Sequence, residues 1–251
     1  MWEKILFHRK ESEPKKEYEK PKKEQKTKET EITTFKEEKE RYKFLLRKIE
    51  NITKNKGFKS VELDNLSKKI EVFPEEFTIK FPINLLPILE KSIKFYPELT
   101  EKAINEVFEH ELEHCLLSKK EEEIRKNVWK MPEEELLKIA KKLGISTNQK
   151  IGAIRYLVSK NLRESEVELE KVKRLYSGNK AEGIARGVIY GDIFYHGVEE
   201  GLKIPVHSRE FYQRRFAKKL SKEEIDEIIA KEKEIKNEFL KKTKIKGRIK
   251  N

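Results

Sequence analysis

A single cysteine, Cys115, in 251 residues leaves nothing to build a disulfide framework and points to a reducing, cytoplasmic setting. No run of 18 apolar residues occurs, so no membrane-spanning helix is expected. The opening residues, Met1 to Phe7, carry an apolar run too short for a secretory signal. Glutamine is scarce, at positions 25, 149 and 213 only, while Lys, Glu and Ile abound. That balance is typical of proteins built for high temperature, where ion-pair networks carry more of the stability. Only 36% of the chain is hydrophobic, which allows one core of ordinary domain size plus extensions.

What is plentiful is charge, at 41% of residues with a net +12. It is unevenly spread. Residues 1–56 hold 18 basic and 12 acidic residues, and residues 202–251 hold 16 and 8. The stretch between them holds 24 and 26, so the basic excess lies in the two ends. Basic ends suit nucleic acid, an anionic surface, or solubility alone.

Residues 8–31 are a Lys/Glu tract with Pro14 and Pro21 that cannot bury a core. We read 1–31 as a charged, flexible arm, with Trp2, Ile5, Leu6 and Phe7 as a small docking segment. A body over 32–216 and a basic C-terminal helix and tail over 217–251 follow. The body is expected to be α+β and mostly helical. Phe35, Tyr42, Leu45, Leu46 and Ile49 stand near helical spacing. Three short β-type runs come next, Phe58–Leu63, Lys69–Phe73 and Phe77–Phe81, with the third read as an edge strand. A helix from Pro97 to about Lys126 is expected, then one opened by Pro132 and capped by Gly144. Further helices are expected over 148–162 and 163–176. Leu136 to Leu162 vaguely resembles a nucleic-acid module of the SAP type, although two helices covering a core explain it more simply. Gly183, Gly187 and Gly191 fall on one helical face and suit close packing, against the helix that starts at Pro97. A basic, aromatic segment runs over 208–216.

The most informative stretch is His110-Glu111-Leu112-Glu113-His114, an H-E-x-x-H. On a helix, residues four apart lie one above the other, so two imidazoles can share a metal ion. Glu111 then sits where it can take a proton from a water at that ion. Val107, Phe108, Leu112, Cys115 and Leu116 extend the pattern in the manner of zinc peptidases; the charged Glu113 departs from it.

With those residues in view, the chain resembles the zincins, and Arg163-Glu164-Ser165-Glu166-Val167-Glu168 resembles the third-ligand segment of gluzincin peptidases. The resemblance implies a zincin-like domain holding Zn²⁺, with a small sheet before the H-E-x-x-H helix. His110, His114 and Glu164 would be ligands, Glu111 the general base, and Glu168 the group holding a ligand imidazole by its other nitrogen. Glu168 and Glu166 are the next choices for third ligand. The activity implied is peptide-bond hydrolysis, with a peptide or protein as substrate.

Other groups compete for roles. Asp192 and His196 are four apart and could support or complete a metal site. His207, after Pro205, could stabilise an oxyanion. Cys115 reads as a small buried residue rather than a ligand, because its side chain turns about 100° from that of His114. The rival function is a non-enzymatic nucleic-acid-binding or scaffold protein that uses the basic ends.

Overall fold

The computed structural model describes residues 40–67, 69–177 and 179–245. The arm over 1–31, its docking segment and the last six residues lie outside them. The chain divides into two units, Met1–Lys43 and Phe44–Asn251. The second opens within helix α1 (Lys43–Asn55), which stops where Gly57 takes a φ of 87°, a left-handed turn that costs glycine little.

Three strands follow: β1 (Ser60–Asp64), β2 (Glu71–Phe73) and β3 (Thr78–Pro82). Their order is β1-β3-β2, with β1 parallel and β2 antiparallel to β3. The run over 77–81, read as an edge, is therefore the central strand. The physical reason is burial: Ile79 and Phe81 are fully buried and Thr78 nearly so, because a strand on either side closes off its backbone. The edge beside the helices is β2. Phe81 meets Phe108 and Phe194 edge-on, with ring centroids 6.5 and 6.1 Å apart. Each such buried ring contributes roughly 1.5–3 kcal/mol by its removal from water.

After a 3₁₀ turn at Ile83–Leu85 come α2 (Leu86–Phe95) and α3 (Pro97–Leu116), the latter carrying H-E-x-x-H. The expected single helix to Lys126 is broken at Leu117, whose φ and ψ of −99° and 11° leave the helical range. Helix α4 (Ser118–Lys130) resumes at once. Then come α5 (Glu133–Lys142), α6 (Ile151–Tyr176), α7 (Lys180–His196), the short α8 (Val198–Lys203) and α9 (Arg209–Arg215), and α10 (Lys222–Thr243). The two helices expected over 148–176 are one 26-residue helix, α6.

Helices α3, α6 and α7 pack together beside the sheet, and α10 lies along α7. Ser221 caps α10 in a capping box with Glu224, and its face of Ile225, Ile228, Ile235, Phe239 and Leu240 is buried. A satellite core of Val128, Leu136, Ala140, Leu143, Ile154 and Val158 joins α4, α5 and the first half of α6. The Leu136–Leu162 stretch thus covers a core. The arrangement is α+β and mostly helical, with its small sheet ahead of α3. No helix among the described residues is long and apolar enough to cross a membrane.

Candidate metal centre

Helix α3 buries four carboxylates, Glu106, Glu109, Glu111 and Glu113, an expensive choice unless each is paired. Three are paired. Glu109 takes Arg174 at 2.9 Å and also Lys56. Glu113 accepts from Arg174 Nε at 2.9 Å, so the residue that departs from the zinc-peptidase pattern faces a guanidinium across the α3–α6 seam. Glu106 accepts from the Tyr176 hydroxyl at 3.0 Å and lies 2.9 Å from Lys171 Nζ. Glu111 alone of the four has no hydrogen-bond or ion-pair partner among the described residues. Burial pushes its carboxyl up against the pull of His110 and His114. A buried, unpartnered carboxylate of raised pKa is what a proton acceptor working near neutrality needs.

His110 and His114 stand with ring centroids 4.9 Å apart and planes at 86°. Each is gripped from behind by a carboxylate on a different helix. His110 Nδ1 is 3.0 Å from Glu168 Oε2 on α6, and His114 Nδ1 is 2.6 Å from Glu121 Oε1 on α4. With Nδ1–H donating to those acceptors, both free lone pairs are at Nε2. Both Nε2 atoms face one carboxylate oxygen, Glu164 Oε2, at 3.3 and 3.7 Å. The ligating atoms of His110, His114 and Glu164 all fall within 4.8 Å of one another. Burial opposes charge at these imidazoles, but the carboxylates win and raise both, His114 to about 10. Burial likewise opposes charge on Glu164, and the two imidazoles still hold its carboxyl far below the usual range.

The grip has its own support. Arg163 Nη1 donates to Glu121 Oε2 at 3.2 Å. Glu168, almost fully buried, has Lys171 Nζ 3.1 Å from Oε1 and Arg215 Nη2 3.7 Å from Oε2. Five carboxylates (Glu106, Glu111, Glu121, Glu164 and Glu168) face three cations (Arg163, Lys171 and Arg215), so neutral imidazoles leave two negative charges uncompensated. Two imidazole nitrogens, one carboxylate and a double negative charge fit a divalent cation such as Zn²⁺.

Gly187 of α7 makes room for this arrangement. A Cβ there would lie 2.6 Å from Glu168 Oε1 and 3.1 Å from Lys171 Nζ. Close approach by the glycine face is therefore to the α6 side chains first, with Glu106 of α3 at 3.5 Å. Gly187→Ala is expected to push Glu168 off His110 and, if this centre holds zinc, to weaken its binding about tenfold, read by competition with a chelator. Gly191→Ala, where nothing lies within 4 Å of the added carbon, is expected to leave zinc affinity unchanged.

The remaining candidates fall elsewhere. Glu166 pairs with Lys120 and Lys219, which pull it down to about 2. His196 is exposed. Asp192 and His207 belong to a second cluster with Glu232. Glu232 Oε1 holds His207 Nδ1 at 2.9 Å and Lys236 Nζ at 2.8 Å, while its Oε2 accepts from Tyr212 at 2.8 Å and from the His207 backbone at 3.0 Å. Lys236 also lies 3.5 Å from Asp192. An ammonium already fills this cluster, which pins the Pro205 loop to α10; His207 is thereby tied away from α3's motif. Cys115 is buried, and burial lifts its thiol to about 11.

Two residues at the centre were not singled out from sequence. Glu121 is one. Tyr195 is the other: half-buried on α7, its phenol is raised to about 12 by burial and by the nearby charges of Glu111 and Glu164. No protein-family model matches the chain, and no curated protein or solved structure matches it either.

Proposed function

We propose that this is a metal-dependent hydrolase of the zincin class. More particularly, we read it as a gluzincin-like zinc peptidase acting on peptide or protein chains in the cytoplasm. One observation carries the reading. Both imidazoles are held from behind by separate carboxylates, so that their Nε2 atoms and Glu164 converge, and the unpaired Glu111 stands beside that point.

Zinc bound by His110, His114 and Glu164 would supply Lewis acidity, polarising a carbonyl and acidifying a water. Glu111 accepts the proton of the attacking water and returns it to the leaving amine. Burial keeps that carboxyl's affinity for the proton high enough to do so. Tyr195, whose phenol burial holds above its usual range, keeps its proton near neutrality and can donate it to the oxygen of the tetrahedral intermediate. The outer edge of β2 is unpaired within the sheet. A free strand edge is where an extended peptide adds by main-chain hydrogen bonds.

Glu121 tests the reading without recourse to turnover. Glu121→Ala removes the grip on His114 and is expected to weaken zinc binding 10- to 100-fold. Isothermal titration with zinc measures it. Affinity unchanged by this substitution would mean that His114 is not a ligand.

A further inference from the structure

Between the two basic ends the chain is near neutral in sum, but its charges are separated. Residues 136–163 hold seven basic residues and no acidic one, the longest acid-free run in a chain with 46 acidic residues. Three of the seven are used inside the fold. Lys138 pairs with Glu134 and Arg163 with Glu121, while Arg155 donates to the Val128 carbonyl at 2.6 Å. The side chains of the other four, Lys141, Lys142, Lys150 and Lys160, make no hydrogen bond or ion pair among the described residues. The fold then adds two more cations. Arg214 of α9 lays its side chain against Gly144, where an added Cβ would lie 2.9 Å from its Nε. Ala217 packs on the satellite core to which Leu143 and Ile154 belong, so the chain around Arg214 and Lys218 meets the α5–α6 turn. Neither of these two side chains has a hydrogen-bonded or ion-paired partner among the described residues. Lys141, Lys142, Lys150, Arg214 and Lys218 are all exposed.

Stability alone does not call for this arrangement. Lysines in the last turn of α5 suit its dipole, but Lys150 is the N-cap of α6, where a cation is disfavoured and no acid in the first turn offsets it. Elsewhere on the surface lysines are neutralised within one turn, as Lys173 is by Glu170 and Lys203 by Glu200. We propose that the surface around the α5–α6 turn binds duplex nucleic acid through its phosphate backbone. Exposed, unpartnered cations held on one packed core complement a polyanion of regular spacing, and each phosphate they neutralise releases condensed counterions. Residues 141–150 and 214–218 present no exposed aromatic, since Phe216 is buried. An unpaired base would find nothing there to stack on, which favours a double-stranded backbone over a single strand. The inference is independent of the zinc reading, which uses other residues.

The test uses the full-length protein and a short, random-sequence, fluorescein-labelled DNA duplex, with fluorescence anisotropy read over a series of salt concentrations. The parent is expected to bind with an affinity that falls steeply as salt rises. Lys141→Gln/Lys142→Gln/Lys150→Gln is expected to weaken binding at least about tenfold and to make the slope of log K against log salt shallower by about 2–3. These side chains are exposed and unpaired, so the melting temperature should not fall. Lys246→Gln/Arg248→Gln/Lys250→Gln removes the same charge from the basic tail and is expected to leave most of the affinity in place. One strand of the duplex alone is expected to bind more weakly than the duplex. Vesicles of phosphatidylcholine and phosphatidylserine are expected to respond no differently to the first triple variant than to the second. No duplex binding by the parent, equal losses in the two triple variants, or tighter binding of the single strand would each overturn the proposal. So would a first triple variant that keeps duplex binding and loses vesicle binding, which would make the surface a membrane contact.

Discussion

Replacing Glu111 with Gln is expected to lower peptide hydrolysis by about 10²- to 10⁴-fold while leaving one zinc per chain. Amide and carboxylate have the same shape, so the helix and its imidazoles are undisturbed. Only proton acceptance is lost. The effect should be large because Glu111 is the one buried carboxylate of α3 with no cation paired to it among the described residues. Hydrolysis of a quenched-fluorescent peptide library, with mass spectrometry for metal content, measures both quantities. A variant that cleaves as fast as its parent sinks the mechanism. One that loses zinc along with activity would make Glu111 part of the metal's own support.

Rising pH should widen the stability gap between the metal-free and the zinc-loaded protein. In the metal-free protein the carboxylates raise His110 and His114, the latter to about 10. A raised imidazole contributes stability that is fully present below its unfolded pKa of about 6.5 and is lost as pH climbs through the folded value. The metal-free protein is thus expected to lose thermal stability between about pH 6.5 and pH 10. Zinc requires both imidazoles neutral, so its affinity, and the stabilisation it brings, should increase over the same window. Zinc binding near pH 7 must then release protons, which titrations in buffers of different ionisation enthalpy will count. Parallel melting curves for the two forms across this window would contradict the assignment of the imidazoles as ligands.

Much of this centre is legible in the sequence because it depends on spacing along single helices. His110 and His114 meet through helical geometry alone. Glu164 and Glu168 are likewise one turn apart, and the structure brings both to His110. Glu121 was not legible. Its approach to His114 depends on the break at Leu117, which no proline or glycine announces, and one Glu among many in a Lys/Glu-rich segment carries no mark. Tyr195 and Arg215 arrive through packing between distant helices. The division expected near residue 162 has a specific cause: the polar run Arg163-Glu164-Ser165-Glu166 interrupts the apolar stripe of α6 beside the imidazoles. The strand error has another cause. The β-type run over 77–81 marks a strand but not how many neighbours it has.

Helix α6 spans about 39 Å at 1.5 Å per residue, and its two halves answer to different neighbours. Ile154 and Val158 are clamped in the satellite core; Glu164 and Glu168 address the imidazoles. Ordinary hydrophobic packing among α4, α5 and α6 therefore acts as a fulcrum for the carboxylates that meet the imidazoles. A residue lost from that packing would tilt a rigid rod, and the tilt would be registered as displaced Glu164 and Glu168 further along the same helix.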